Sequence, residues 1–445
     1  MPTNYRTYQP EQSYLLPPSP RDWLPESHLA YFISEVVDEL ELSELYARYE
    51  ETDARGNQPF HPAMMLKVLI YAYATGTFSS RRIAQKIEED VAYRVLAAGN
   101  FPRHRTICDF RQEHLQKFVE LFKQVVRIAK DSGLIKLGRV AIDGTKVKAN
   151  ASKHKAMSYD RMNQDEKRLQ SEIEELLERA ERTDRQEDEE YGRENRGDEL
   201  PEELQRRESR LKKIREAKKR LEERQAEEDR KKGRHEGDGG RPNRKKGRPF
   251  QKEFGQPDQK AQDNFTDPES RIMKMGNGFE QCYNAQACVD EAHQIIVAVG
   301  VTNCSADSTQ LVPMIEATEA TTGEVPQQVL ADSGYRSEAN FQHLESRNID
   351  GVIALGREGK KNAVPISSSK PATQRMKKKL QTTDAAAAYR RRKVIAEPPF
   401  GWIKHVLGFR HFSFRGLKKN NAEWHLIGLA INLRRMSGGM RATAV

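Results

Sequence analysis

The spacing of apolar residues predicts three kinds of structure along the chain, beginning with helices. Over 27–135, apolar residues recur every three or four positions, which is the period of a helix with one buried face. One such segment, HPAMMLKVLIYAYATG, stops at Gly76. The next, SSRRIAQKIEEDVAYRVLAAGN, has Ser79 or Ser80 as its expected N-cap. The pattern predicts an all-helical domain, preceded by a flexible, Pro-rich lead-in at 1–26.

The middle of the chain is too highly charged for an ordinary core. Over 161–235 there are 22 basic and 24 acidic residues, which leaves few apolar groups. Those that remain keep a coiled-coil-like spacing; they include Leu169, Ile173, Leu176, Leu204, Leu211, Ile214 and Leu221. We predict an antiparallel pair of polar helices inserted at 161–230, broken near Pro201. Solvated, partly disordered single helices are the alternative. A basic Gly/Pro-rich linker is expected at 231–261.

In the second half, short apolar runs alternate with helical segments, which predicts an α/β domain. VAI predicts a strand that ends at Asp143, followed by a glycine turn. CYNAQACVDE and HQIIVAVGVTN predict a β-hairpin, and QQVLADSGY predicts a strand with Asp332 at its carboxyl end. A later helix carries Glu397. The segments assigned to this domain are 136–160 and 262–436, with a tail at 437–445.

Composition narrows the classes of partner. The 445 residues carry a net charge of +9 with a pI near 9.1, which favours an anionic partner. The chain has no run of 18 or more apolar residues, so we expect no transmembrane helix. The N-terminus does not resemble a signal peptide. The four cysteines form no CxxC pair, so we expect no zinc site and a reducing cytoplasm.

The three carboxylates named above are the candidate catalytic residues. Strands that end at one edge of a sheet bring their last residues together, so Asp143 and Asp332 are expected to meet. Glu397 lies in the most basic region, 356–420, which has 17 Lys/Arg against 3 Asp/Glu. Three carboxylates in a basic cleft are hard ligands for two Mg²⁺ or Mn²⁺ ions, which serve phosphoryl transfer. Taken singly, each residue also fits a turn or a solvated ion pair.

Several motifs together resemble one known family, the DDE transposases of bacterial insertion sequences, particularly the insertion sequence 1182 group. They are FHPAMMLKVLIYAYATGTFSSRRIAQ, VAIDGTKVKANAS, NFTDPESRIMKMGNGFEQCYNAQACVD, VLADSGYRSEANF and EPPFGWIKHVLGFRHFSFRGLKKNNAEWHLIGLAINLRR, and they span nearly the whole chain from Pro59. The resemblance implies an α/β RNase H-like catalytic domain, a mixed sheet flanked by helices. It assigns Asp143, Asp332 and Glu397 to the metal-binding triad.

The resemblance also implies a reaction and its partners. The chain would cleave double-stranded DNA at its element ends and join the freed 3′-OH to target DNA. It would act as a homodimer or higher oligomer on DNA, without a membrane or a nucleotide cofactor. We expect it in the bacterial cytoplasm, associated with the nucleoid.

Residues that contact DNA are expected around the third carboxylate. The family shows Tyr, Arg, Glu and Lys there: Glu397 and Lys404 fit the Glu-x6-Lys spacing, while Tyr389 and Arg392 lie one residue off. Trp402 is expected either to stack on a displaced base or to lie in the core. The other predicted contacts are Arg391, Lys393, Lys146 and Arg336, with Arg81 and Arg82 in a helix-turn-helix-like DNA-binding or dimerisation domain.

Three alternative functions stay open at this point. The first is a catalytically inactive DNA-binding protein derived from a transposase. The second is a metal-dependent nuclease of the same fold that does not transfer strands. The third is a coiled-coil scaffold, which depends on 161–235 alone.

Overall fold

A computed structural model describes residues 19–50, 58–191, 202–236, 252–276, 278–356 and 369–443. Most of the predicted lead-in, the helix break at Pro201, the centre of the basic linker and the last two residues of the tail lie outside these ranges. The chain forms two compact units, which are described separately below. The domain boundaries drawn from the sequence stay a prediction.

The described residues form eight strands and fourteen α-helices. The strands are β1 Arg139–Lys148, β2 Ala156–Ser158, β3 Gln262–Asn264, β4 Arg271–Met275, β5 Gly278–Asp290, β6 Ile296–Thr302, β7 Gln328–Ala331 and β8 Asp350–Ile353. The helices are α1 Leu29–Asp38, α2 Ser43–Glu50, α3 Pro62–Ala74, α4 Ser80–Glu89, α5 Val91–Leu96, α6 His104–Glu113, α7 Lys117–Asp131, α8 Tyr159–Tyr191, α9 Glu202–Lys231, α10 Leu311–Thr322, α11 Glu338–Ser346, α12 Pro371–Lys379, α13 Thr383–Gly401 and α14 Leu417–Thr443.

The first unit comprises residues 1–147, 284–413 and 418–445, and its centre is a mixed sheet in the order β6–β5–β1–β7–β8. β5 and β6 are antiparallel, as the predicted hairpin requires. β1, β7 and β8 are parallel to one another, and α11 connects β7 to β8. Strands that cross over through helices must have both faces covered, so this sheet is buried between helical layers.

One helical layer joins the sheet to the N-terminal helices α1–α7. The long helix α14 packs on β5 and β6, where the indole of Trp424 donates to the carbonyl of Gln286 at 2.8 Å. The amide of Asn432 donates to the carbonyl of Ile296 on β6, also at 2.8 Å. A Cβ on Gly428 would lie 3.0 Å from Phe122 of α7 and 3.2 Å from Val299 of β6. The glycine therefore lets α14 fit closely between the sheet and the N-terminal helices.

Two local predictions were wrong. The segment predicted as one helix from Ser79 is divided into α4 and α5 at Asp90, whose backbone is extended and whose carboxylate accepts from the N–H of Ala92. The side chain caps the second helix, which local periodicity does not reveal. The first strand does not end at Asp143. It runs on to Lys148, and Gly144 is part of the strand rather than a turn.

The second unit comprises residues 148–283 and 414–417. α8 and α9 run antiparallel and share an apolar core; its buried members are Met162, Leu169, Ile173, Leu204, Leu211, Ile214, Ala217 and Leu221. The buried carboxylate of Asp263 on β3 accepts from Arg220 at 2.6 Å and from Arg224 at 2.9 Å, so it fixes α9 to the small β2–β3 sheet.

Within the described residues, no helix is both long enough and apolar enough to cross a lipid bilayer.

Candidate active site

Two of the three predicted carboxylates meet at one edge of the sheet. β1 and β7 are parallel neighbours, and their last paired residues are Ile142 and Ala331. Asp143 follows the first and Asp332 follows the second, so both lie at the same level where the parallel pairing ends. Where the pairing of two parallel strands ends, the next residue of each strand lies in the same crevice.

Asp143 is held by donors on both oxygens. Its Oδ1 accepts from the N–H of Gly144 at 2.8 Å, and its Oδ2 accepts from Nη1 of Arg392 at 3.0 Å. Burial raises the pKa of Asp143 to about 6, and the charges of Asp332 and Asp307 add to the rise. The hydrogen bond from Gly144 and the charge of Arg392 act in the opposite direction without cancelling it. The site thus disfavours an isolated negative charge and favours a nearby cation.

Asp332 is positioned by the turn that follows β7. Its side chain caps a 3₁₀ turn, Ser333–Tyr335, and accepts from the N–H of Gly334 at 2.7 Å. A Cβ on Gly334 would lie 2.9 Å from the Asp332 carboxylate, so a side chain there would push it away. The glycine keeps Asp332 at the strand end.

Asp307 is a further carboxylate at this edge, and sequence reasoning missed it. It begins a 3₁₀ turn, Asp307–Thr309, shortly after β6. It accepts from Asn284 at 2.6 Å and from Gln286 at 2.9 Å, and Nζ of Lys146 lies 3.5 Å away. The strand-end rule that identified Asp332 also applies after β6, which is parallel to β1. A second signal was available, because Asn284 and Gln286 are polar residues two apart inside an apolar strand.

A buried tyrosine completes the floor of the crevice. The hydroxyl of Tyr335 donates to the side-chain carbonyl of Gln286, whose amide nitrogen donates to Asp307. Burial raises the pKa of Tyr335 well above its usual value, with the charges of Asp307, Asp143 and Asp332 adding to the effect. The phenol is therefore a neutral donor that fixes Gln286.

The structure places Glu397 differently from the two aspartates. It lies on α13, which packs against β7 and β8, and its side chain is exposed. The same chain segment reaches β1 at two points. Arg392 is buried and bonds Asp143, while Lys404 donates to the hydroxyl of Thr145 and to the carbonyl of Lys146 at 3.0 Å. Glu397 lies between these two anchors in sequence.

The predicted DNA-contact residues have different surroundings. Arg391 is exposed and pairs with Glu291 at 2.7 Å, and Arg336 donates to the carbonyl of Leu355. Lys146 donates to the carbonyl of Ser305 at 3.0 Å. Arg336, Lys393, Arg81 and Arg82 are exposed as well.

Two aromatic candidates are partly covered by arginines. The guanidinium of Arg392 lies 5.8 Å from the ring centre of Tyr389. The guanidinium of Arg434 lies 5.0 Å from the ring centre of Trp402, whose Nε1 is buried and has no hydrogen-bond partner among the described residues. The Trp402 side chain is half-buried, so it is more exposed than a core residue and less exposed than a free base-stacking residue.

The donor set suits a divalent metal, although it is not assembled around one. Within the described part of the chain, no three acidic, histidine or cysteine side chains form a group able to hold a metal ion. Asp143 instead uses one oxygen for Arg392. Carboxylate oxygens are nevertheless the ligands that Mg²⁺ and Mn²⁺ prefer. Because Asp332 and Asp307 raise the pKa of Asp143, a cation at this crevice would relieve their mutual repulsion.

Two family models, both of transposase domains, match parts of the chain. The family described as "Transposase DDE domain" matches residues 253–433, and "Transposase domain (DUF772)" matches residues 18–113. No curated protein matches the chain. Among solved structures, "Mos1 transposase paired-end complex with left transposon end" is 9% identical, covers 83% of this chain and 88% of that chain, and gives a TM-score of 0.18. A likeness at this TM-score supports no conclusion about the fold.

Proposed function

Because the chain belongs to the DDE transposases of the insertion-sequence type, we propose that it cuts DNA at the ends of its element and joins those ends to target DNA. Asp143, Asp332 and Glu397 are the catalytic carboxylates of this proposal. The observation that carries it is the register of β1 and β7, which sets Asp143 beside Asp332 at one edge of the sheet. Helix α13, which bears Glu397, packs against β7.

The strand order supports an RNase H-like fold for the first unit. A first strand is followed by an antiparallel hairpin, a helix, and two further strands parallel to the first. Asp143 lies in the first strand of this series, where its parallel pairing ends, and Asp332 follows the fourth strand. This is the order expected from the sequence. The α8–α9 pair then interrupts the catalytic domain as an insertion.

Each side chain has a distinct part in the proposed chemistry. Asp143, Asp332 and Glu397 would hold two divalent cations, Mg²⁺ or Mn²⁺. When bound, such ions supply positive charge to the attacking and leaving oxygens of a phosphodiester. Arg392 provides a positive charge at Asp143 in their absence and orients that carboxylate. Lys404, fixed to β1, presents its ammonium group to the same edge, where a DNA phosphate would lie.

The proposed reaction has two phosphoryl transfers. In the first, the oxygen of water bonds to phosphorus as the P–O3′ bond breaks. The leaving O3′ takes up one proton and becomes a 3′-OH, and the other proton of water passes from the new 5′-phosphate to solvent. In the second, the freed 3′-OH attacks a phosphodiester of target DNA and displaces a new 3′-OH. Neither step requires a covalent bond to the protein or a nucleotide.

Double-stranded DNA is the proposed partner, at both the element ends and the target. The positive charge of 356–420 would bind the phosphate backbone. The residues proposed to touch DNA are Lys404, Arg392, Tyr389, Trp402, Arg391, Lys393, Lys146, Arg336, Arg81 and Arg82. Joining two ends requires at least two subunits, and the α8–α9 insertion offers a surface for contacts between them.

The test is cleavage of an end-labelled duplex that carries the sequence flanking the gene. Purified full-length protein is incubated with Mg²⁺, with Mn²⁺ or with EDTA, beside an Asp332→Asn variant. A second, unlabelled plasmid serves as the target for joining. We expect a metal-dependent nick at one fixed position, a free 3′-OH, and joined product, all lost in the variant.

Other outcomes identify the alternatives. Nicking without joined product favours a nuclease of the same fold. Binding to the flanking sequence without a nick under any metal condition favours the inactive DNA-binding protein. Cleavage that persists in EDTA contradicts the proposed chemistry.

A further inference from the structure

Asp307 lies between the ends of the two strands that carry the proposed catalytic aspartates. A Cβ on Gly144, next to Asp143, would lie 2.9 Å from Oδ1 of Asp307. A Cβ on Gly334, just after Asp332, would lie 3.2 Å from Oδ2 of Asp307 and 2.9 Å from Oδ1 of Asp332. Both glycines thus leave room for the Asp307 carboxylate, which faces the same crevice.

The two oxygens of Asp307 have different surroundings. Oδ1 accepts from Asn284 and Gln286, with the ammonium of Lys146 at 3.5 Å. Oδ2 accepts no hydrogen bond from any residue in the described ranges. The side chain is 24% exposed, so solvent and small ions can reach it. A carboxylate fixed through one oxygen and open at the other is arranged as proteins arrange metal ligands.

The supporting amide of Asn284 is costly to bury. The residue is fully buried, and its Nδ2 donates to Asp307 and to the carbonyl of Cys304 at 3.2 Å. Its Oδ1 is buried without a hydrogen-bond partner among the described residues. Burying such an oxygen without a partner destabilises the fold. A purely structural position would not require this cost, whereas orienting a ligand carboxylate does.

We propose that Asp307 is a further metal ligand of this site, binding through Oδ2 a divalent cation that Asp143 and Asp332 also hold. This inference rests on the proposed function. It gives the crevice a third carboxylate at the edge of the sheet, in addition to Glu397 on α13. Asn284 and Gln286 then act as positioning residues, because they hold Asp307 and do not touch the cation.

Metal affinity tests this assignment without depending on DNA cleavage. Mn²⁺ binding to the full-length protein is measured by isothermal titration calorimetry for the wild type and for Asp307→Asn. The asparagine oxygen can still accept from Asn284 and Gln286, so only the charge is lost. Glu316→Gln, an exposed change on α10 with the same loss of charge, is the matched control. We expect Asp307→Asn to weaken Mn²⁺ affinity about tenfold or more, and the control to leave it unchanged.

The same titrations separate the inference from the proposed function. If Asp143→Asn weakens Mn²⁺ binding and Asp307→Asn does not, Asp307 is not a ligand, although the proposed site stands. If neither variant differs from the wild type, the proposed metal site itself is wrong.

A second variant covers the case in which Asp307→Asn does not fold, as judged from its melting temperature in EDTA. Lys146→Met removes the ammonium that competes for Asp307, so Mn²⁺ affinity should rise severalfold. Unchanged or weaker binding in that variant would overturn the assignment.

Discussion

At the scale of single residues, Asp143 has an environment unlike that of an ordinary surface aspartate. It is mostly buried, and burial raises its pKa to about 6 from an ordinary value of 3.8, even with Arg392 at 3.0 Å. A raised pKa in the folded state means that the fold prefers the protonated form. Without metal, ionised Asp143 therefore destabilises the protein, which is the expected state of a side chain built to bind a cation.

The pH dependence of stability follows from this shift. The stabilising contribution of protonated Asp143 is present below its unfolded pKa and is lost as the pH rises through about 6. The full loss over this pH range is about 3 kcal/mol, since the pKa rises by about two units. We predict that raising the pH from about 5 to about 8 in EDTA lowers the melting temperature of the wild type more than that of Asp143→Asn. Equal changes in the two proteins, measured by differential scanning calorimetry, would contradict the assigned environment.

Gly144 is predicted to be essential for activity for a steric reason. Its Cβ position is 2.3 Å from Nε2 of Gln286 and 2.9 Å from Asp307, so alanine would displace the side chains that support the crevice. We expect Gly144→Ala to slow DNA nicking on the order of a hundredfold. Gly138→Ala is the matched control, because nothing lies within 4 Å of that Cβ position. Equal nicking rates in the two variants would rule out this role.

At the scale of elements, apolar periodicity was a sound guide to where helices and strands occur. The β5–β6 hairpin, β7 with Asp332 after it, α10 ending before Gly323, and the final helix α14 all agree with the sequence. The pattern failed where long-range pairing or a side-chain cap decides the structure. β1 continues past Asp143, and its neighbour β5 accepts a hydrogen bond from Ala149 through Gln281 at 2.8 Å. Asp90 ends α4 by capping α5.

The candidate site was only half visible in the sequence. Asp143 and Asp332 could be paired because both follow apolar strands that run in the same direction. Asp307 was missed because a short loop, residues 303–306, separates it from the end of β6. Arg392 could not be identified as the partner of Asp143, since 249 residues separate them and nothing local links their positions.

The contact between α14 and the N-terminal helices depends on one buried carboxylate. Glu423 is fully buried and accepts from Tyr73 at 2.9 Å and from the N–H of Ser413 at 2.8 Å. The hydroxyl of Tyr73 in turn accepts from Arg111 at 3.1 Å. Burial raises the pKa of Glu423, and its donors act against that rise.

Removing this carboxylate should be severe. Glu423→Ala leaves the Tyr73 hydroxyl without its acceptor and the buried Arg111 without the nearby negative charge of Glu423. We therefore expect a loss of about 3–5 kcal/mol, measured as a lower melting temperature. Glu423→Gln keeps an acceptor and should lose much less. If the alanine and glutamine variants melt together, the network is not what holds α14 in place.

The attachment of α9 gives a separate prediction for the second unit. Asp263→Ala removes the carboxylate that both Arg220 and Arg224 bond. Because those arginines are 34% and 28% exposed, we expect a modest loss of about 1–2 kcal/mol. Limited proteolysis should then cleave α8 and α9 faster. Asp258→Ala, at a carboxylate that is 75% exposed, is the control and should leave the cleavage rate unchanged.

At the scale of the whole molecule, charge and family agree on a DNA enzyme. The net charge of +9 is concentrated in 356–420, the region that contains Glu397. The "Transposase DDE domain" match begins at residue 253, after the α8–α9 insertion, and so includes Asp332 and Glu397 but not Asp143. Asp143 enters the site through the sheet, because β1 pairs with β7 across a separation of 189 residues.

The most direct test concerns Glu397, because its side chain is exposed whereas Asp143 is bonded to Arg392. Supercoiled plasmid carrying the flanking ends of the gene is incubated with wild type or Glu397→Gln in Mg²⁺, in Mn²⁺ and in EDTA. We predict fixed-position nicking by the wild type with either metal, none in EDTA, and none by the variant. Nicking by Glu397→Gln at the rate of the wild type would contradict the three-carboxylate site.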